Sequence, residues 1–237
     1  MQLRRVLLGP RATIQRDCRR AVKGMDWFRP IESIDEAHTV RNNLPRSTPQ
    51  FAYGTSDFPL QDYSTGLVAG QTVQFLQQFG HDPFALWVSL PDPHTPYECP
   101  EKYAIAPEDV DMPPRREDEF SDGTAPERNK VLHAMIGVDE DPIEDVKACV
   151  GVYHGMVRFL DDGVGQIMDA LDRLNLRENT IVIFCADHGD FSGEHGQIAK
   201  GGAFYDCLTR VPLIASWPGH IPAGIVDESC VNLVDIS

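Results

Sequence analysis

The chain lacks any apolar run approaching the roughly 20 residues that a membrane-spanning helix requires, although 42% of its 237 residues are hydrophobic. Its first residues, Met-Gln-Leu-Arg-Arg-Val-Leu-Leu-Gly-Pro-Arg, hold too short an apolar segment for a signal peptide. No membrane partner is therefore expected. Positive charge is also scarce. Against 36 Asp and Glu stand 21 Lys and Arg, a formal net charge of -15, which repels phosphate backbones and anionic lipid and excludes nucleic acid as an expected partner. An anionic substrate has to be met by a local cationic site. The six cysteines, Cys18, Cys99, Cys149, Cys185, Cys207 and Cys230, include no Cys-x-x-Cys pair. Cys149 and Cys185 lie among apolar residues and read as small core side chains. A reducing, cytoplasmic location is the expectation.

What is present is enough apolar material for one substantial domain. Residues 1–60 are crowded with arginine and with Arg29-Pro30, Leu44-Pro45, Thr48-Pro49 and Phe58-Pro59, which bias the backbone away from helix. An irregular amino-terminal segment is predicted there. Residues 61–237 are predicted to form the ordered part. Tyr63, Leu67, Thr72 or Val73, and Leu76 with Phe79 recur at near-helical spacing before Gly80. The short run Pro83-Phe-Ala-Leu-Trp-Val-Ser-Leu90 reads as a strand covered on both faces. Residues 100–141 are rich in Pro, Asp and Glu and read as a long loop, with a short helix around Asn129 to Ile136.

From Pro142 to Leu174 a single apolar stripe predicts a long helix, opened by Glu144 and Asp145 at its positive end. Gly163 and Gly165 within it signal a bend or close packing. Asn175 to Asn179 turns the chain into a strand ending at Ala186, and Val211 to Trp217 forms another. Helices alternating with short apolar strands give an α/β fold.

The strand ending at Ala186 leads directly into Asp187-His188-Gly189-Asp190, then Gly193-Glu194-His195-Gly196 and Lys200. Carboxylate and imidazole on the rim of a buried sheet are oxygen and nitrogen donors suited to Ca, Mg, Mn, Fe or Zn. Asp187 and His188 are accordingly candidate metal ligands. The opposing reading is a turn-capping aspartate and a surface histidine. Lys200 and His94, the latter in Pro91-Asp-Pro-His94-Thr-Pro96 after an earlier strand, are candidates to hold and polarise the non-bridging oxygens of a sulfate or phosphate ester. His94 also suits protonation of a departing alkoxide. Glu194 and His195 are weaker candidates, as pocket lining, as groups that orient ligands, or as a surface turn. The glycines permit close backbone approach without forming a phosphate-binding fingerprint.

These separated motifs, with Arg210-Val-Pro-Leu-Ile214 and Trp217-Pro-Gly219 following in order, resemble the sulfatase family of the alkaline phosphatase superfamily, nearest to its arylsulfatase and phosphonate monoester hydrolase branch. The resemblance spans roughly Asp62 to Ser237. It implies an alkaline-phosphatase-like α/β sandwich, a mostly parallel sheet with helices on both faces, present here in incomplete form. It further implies hydrolysis of a small anionic ester: a sulfate monoester, or alternatively a phosphonate or phosphate ester. One divalent cation is implied, calcium first and manganese or another divalent metal as the alternative, with no organic cofactor. Asp187 and His188 become metal ligands, His94 and Lys200 catalytic and substrate-binding groups, and His195 a substrate-binding group. The departure is the family's Cys- or Ser-x-Pro-x-Arg motif, whose first residue becomes the formylglycine nucleophile. Cys18 is followed by Arg-Arg-Ala, Cys99 by Pro-Glu-Lys, and Ser47-Thr-Pro-Gln breaks at its last position. The chain is expected either to be a fragment of a longer protein or a degenerate homologue that binds without turnover, since loss of the nucleophile removes the covalent step. A non-catalytic α/β interaction protein is the rival class. Nothing in the sequence selects an oligomeric state.

Overall fold

The structure, a computed structural model, describes residues 4–8, 46–48, 51–114, 119–120 and 123–236, with residues 4–8, 46–48 and 51–52 described by backbone alone. Cys18 lies outside the described residues, as does most of the segment expected to be irregular. Three strands nevertheless come from the first 60 residues: β1 (Arg4–Leu8), β2 (Arg46–Thr48) and β3 (Phe51–Ser56).

The remaining elements are α1 (Ser64–Phe79), β4 (Phe84–Val88), β5 (Tyr97–Pro100), α2 (Glu127–Ile136), α3 (Ile143–Arg173), β6 (Val182–Cys185), β7 (Phe191–Ser192), β8 (Ile198–Ala199), α4 (Asp206–Thr209) and β9 (Leu213–Ser216). They fall into two compact units, one of residues 1–112 with 138–174 and one of residues 113–137 with 175–237.

In the first unit β1 pairs in parallel with β4, and β5 pairs in parallel with β3, which is antiparallel to β2. Helix α1 buries Thr65, Val68, Ala69, Thr72, Phe75 and Leu76, the i, i+3, i+4, i+7 stripe of an amphipathic helix. Phe75 meets Phe84 of β4 edge-on, with ring centroids 5.9 Å apart. Strand β4 is covered on one face only: burial alternates along it and Trp87 is 55% exposed. Its uniformly apolar composition had suggested cover on both sides. The difference follows from the strand's neighbours in this unit, which are β1 along its edge and α1 on one face.

Helix α3 runs unbroken through Gly163 and Gly165. Close packing explains the first: a Cβ on Gly163 would lie 2.8 Å from Cγ2 of Thr65 on α1, whereas one on Gly165 would meet nothing within 4 Å. Tyr63, Tyr103 and Phe159 form a buried aromatic cluster against α3, with Phe58 and Leu60 packed on it. Cys149 is 1% exposed, as a core thiol should be; Cys185 is only partly buried.

The second unit carries the predicted strands as an antiparallel pair, β6 with β9, Ile183 opposite Ala215. A tight hairpin, β7 with β8, pairs Phe191 with Ala199. Helix α2 realises the short helix expected within residues 100–141, and a single bridge joins Gly137 to Gln197. Among the described residues no helix is long and apolar enough to cross a membrane.

Candidate active site

Five candidate residues, Asp187, His188, Glu194, His195 and Lys200, lie in the second unit, on the segment between β6 and α4. Asp187 and His188 follow the end of β6, where the chain leaves the sheet. The next residue fixes their path. Gly189 donates its N–H to the Leu208 carbonyl at 2.9 Å, and a Cβ on it would fall 1.9 Å from the Cys207 carbonyl oxygen. Only glycine fits this approach to α4, so the Asp187–Asp190 turn is held against that helix.

His188 Nδ1 sits 2.9 Å from the Gly189 carbonyl oxygen. A carbonyl only accepts, so Nδ1 is the donor in this bond, and in the neutral imidazole Nε2 is then the nitrogen with the free lone pair. That Nε2 is 3.8 Å from Asp187 Oδ2. Two donor atoms at this separation can share one cation lying about 2.0–2.6 Å from each, and an imidazole that donates its other N–H to a backbone carbonyl is the usual arrangement of a metal-bound histidine. The donors are open to solvent, with 89% of the Asp187 side chain and 40% of the His188 side chain exposed. They amount to part of a coordination sphere. Among the described residues no group of three or more His, Cys, Asp and Glu side chains is placed to hold a metal.

Lys200 joins the same cluster through Asp190. The Asp190 carboxylate is 6% exposed, with Lys200 Nζ 3.8 Å and His188 Nδ1 3.9 Å from its Oδ1. This buried acid thus has an ammonium and an imidazole within 4 Å of one and the same oxygen. Asp190 was part of the motif in the sequence but carried no assigned role there.

The hairpin bearing the remaining candidates is sharply turned: Gly193, His195, Gly196 and Ala199 take φ of 105°, 55°, 63° and 63°. For His195 and Ala199 this left-handed conformation costs on the order of 1 kcal/mol or more each, and persists only when surrounding contacts impose it. Glu194 turns back to accept the Ser192 N–H at 2.5 Å. His195 turns the other way: its Nδ1 bonds the Glu119 carboxylate, and its ring lies 4.2 Å from that of Tyr205. Tyr205 donates its hydroxyl to Glu119 Oε1 at 2.9 Å and accepts from Asn129 Nδ2 at 3.0 Å. Burial, with the Glu119 hydrogen bond second, pushes the Tyr205 hydroxyl up to about 12. Beside this, burial and then the Glu194 charge raise the Cys207 thiol to about 11. Glu119, Tyr205 and Asn129 had no signal in the sequence, because the bonds that join them span 76 residues from Glu119 to His195, 86 from Glu119 to Tyr205 and 76 from Asn129 to Tyr205.

His94 belongs to the first unit, past the end of β4. It is exposed, with Nδ1 2.7 Å from the Thr95 carbonyl oxygen and its backbone N–H on Pro91 at 3.0 Å. The neighbouring Asp92 accepts a hydrogen bond from Thr65 of α1.

Comparison with known proteins gives this geometry a context. The sulfatase family model matches residues 13–237. An uncharacterized sulfatase of Escherichia coli K12, YidJ, is 33% identical over 160 residues, covering 64% of this chain and 30% of that protein. The choline-sulfatase of Rhizobium meliloti is 29% identical over 203 residues, covering 83% of this chain and 39% of that protein. Among solved structures, the phosphonate monoester hydrolase of Agrobacterium radiobacter superposes with a TM-score of 0.59 at 28% identity, over 69% of this chain and 34% of that one. The chain thus spans 30% to 39% of the length of these proteins.

Proposed function

The chain belongs to the sulfatase family, with its alkaline-phosphatase-like α/β fold, and from this premise we propose that it supplies the cation- and anion-binding side of a site that hydrolyses a sulfate monoester. The observation that carries the reading is the cluster past β6. Asp187 and His188 present two donor atoms 3.8 Å apart, and Lys200 and His188 both approach the same Asp190 oxygen, at 3.8 and 3.9 Å.

Asp187 and His188 would hold a divalent cation, calcium first and manganese as the alternative, with further ligands contributed from outside this cluster. A bound cation there supplies Lewis-acid polarisation of the ester's anionic oxygens. Lys200 binds and orients the same anionic group by charge; Asp190 keeps that ammonium in place and limits its wandering into solvent. His188 holds its proton on Nδ1, so that Nε2 stays a donor. His94, by the family resemblance alone, is the candidate to protonate the leaving oxygen, a role that an imidazole suits. A net charge of -15 makes this local cationic patch necessary for capturing an anion.

A phosphonate or phosphate ester is the second reading, favoured by the likeness to the phosphonate monoester hydrolase. It asks for the same groups, because both ester classes present charged non-bridging oxygens.

These 237 residues carry no Cys- or Ser-x-Pro-x-Arg, and a covalent route needs a nucleophile. The expected behaviour of the isolated chain is therefore binding without turnover. Calorimetric titration with Ca and Mn tests the binding. Heat of binding in the wild type that disappears in Asp187→Asn supports the cation role, while absence of any cation affinity favours a non-catalytic interaction protein. Assays with an aryl sulfate and an aryl phosphonate test the rest: robust turnover lost in Asp187→Asn would overturn the inactivity of the chain and identify the ester class.

A further inference from the structure

Building on the reading of Lys200 as the anion-binding residue, we propose that Glu119 is a positioning residue for Lys200, acting through His195 and Tyr205. All the groups concerned lie in the second unit.

Lys200 is fixed from both directions along the chain. On its amino-terminal side Ala199 pairs with Phe191 across the β7–β8 hairpin and is 4% exposed. On its carboxyl-terminal side Gly201 is pressed against α2, where a Cβ would fall 2.1 Å from Leu132 Cδ1. The hairpin therefore decides where the Lys200 stem starts, and α2 decides where the chain goes next.

Glu119 connects these two supports. One carboxylate oxygen receives His195, the residue at the turn of the hairpin, and the other receives Tyr205 at 2.9 Å. Tyr205 also packs edge-on against Phe191 of β7, at 5.4 Å between centroids. On the other side, Asn129 of α2 donates to the Tyr205 hydroxyl at 3.0 Å, and Phe120, next to Glu119, stacks on His133 of α2 at 4.1 Å. A single carboxylate thus receives donors from both the hairpin and the segment after Lys200, and stands beside a ring seated on α2. His195 holds φ 55° against its own preference, which requires an anchor. Glu119 is the charged part of that anchor. Releasing it frees the hairpin to relax, and the Lys200 ammonium then loses its fixed place 3.8 Å from Asp190.

Amine acylation of the folded chain, quantified lysine by lysine by peptide mass spectrometry, tests this directly. In Glu119→Ala the acylation rate of Lys200 is expected to rise about two- to fivefold, the scale of a modest ion-pair loss, with Lys102 and Lys147 of the first unit unchanged. Glu119→Gln keeps one acceptor oxygen and should restore part of the protection. Tyr205→Phe removes one of the two donors and should give an intermediate rate. An unchanged Lys200 rate in folded Glu119→Ala would overturn the proposal, and so would a parallel rise at Lys102 and Lys147, which marks general loosening. Whether Lys200 binds the anion is read separately, from sulfate titration of Lys200→Met. Failure there leaves the labelling result, and hence the role of Glu119, to stand or fall alone.

Discussion

Replacing Gly189 by alanine tests the geometry on which the candidate cation site depends. The added Cβ would sit 1.9 Å from the Cys207 carbonyl oxygen and 3.0 Å from its carbon. Ordinary non-bonded contact is about 3.5 Å, so the two backbones must part by roughly 1.5 Å. The 2.9 Å bond from Gly189 N–H to the Leu208 carbonyl cannot survive that displacement. Overpacking of this kind costs about 1–3 kcal/mol, and the lost hydrogen bond adds about 1 kcal/mol. Against this, reduced freedom of the unfolded chain returns about 0.4–1 kcal/mol. The net expected loss is about 1–3.5 kcal/mol, read as a lower urea midpoint with an unchanged slope. Because Asp187 and His188 enter the turn that Gly189 anchors, cation affinity should fall by about tenfold or more, the scale seen when groups that orient ligands are removed. Gly202→Ala is the control, since a Cβ there meets nothing within 4 Å. The reasoning fails if Gly189→Ala unfolds at the same urea concentration as Gly202→Ala.

Three further outcomes follow from the packing and the titrating groups. Gly165→Ala lies on an exposed turn of α3 with open space around it and should stabilise the chain by about 0.5–1 kcal/mol; a lower urea midpoint would contradict the open environment. Cys99 is fully buried, and burial, with the Glu98 and Asp92 charges behind it, pushes its thiol up to about 12. At pH 8 it should resist iodoacetamide in the folded chain while exposed Cys230 reacts, and equal labelling of the two would refute this. Tyr205, raised to about 12 against an ordinary 10.0, favours its protonated form in the folded state. Its contribution is whole below pH 10 and is lost as pH rises from 10 through 12. Stability measured over that window should therefore fall, and the fall should shrink in Tyr205→Phe.

Legibility from sequence followed distance along the chain. Helices α1 and α3 and strands β6 and β9 were readable because each apolar stripe or run is local and its period identifies the element. Strand β4 was misjudged on one point, because composition reports what a strand can bury and not what is there to bury it: Phe75 covers one side, and Trp87 is left 55% exposed. The same division runs through the site. Asp187, His188 and Lys200 could be singled out as candidates since they follow one strand within 14 residues, whereas Glu119 sits in a segment of many similar acids and meets His195 only across 76 positions. Glu194 and His195 show how little adjacency then decides. They were read as a pair, yet the φ of 55° at His195 parts them. Glu194 closes the hairpin on Ser192 and His195 reaches out to Glu119. Residue chemistry is written locally, but the partner that gives a side chain its role is chosen by a backbone turn. The turn in this case became visible only once Gly193, Gly196 and Ala199 were seen to share its left-handed conformation.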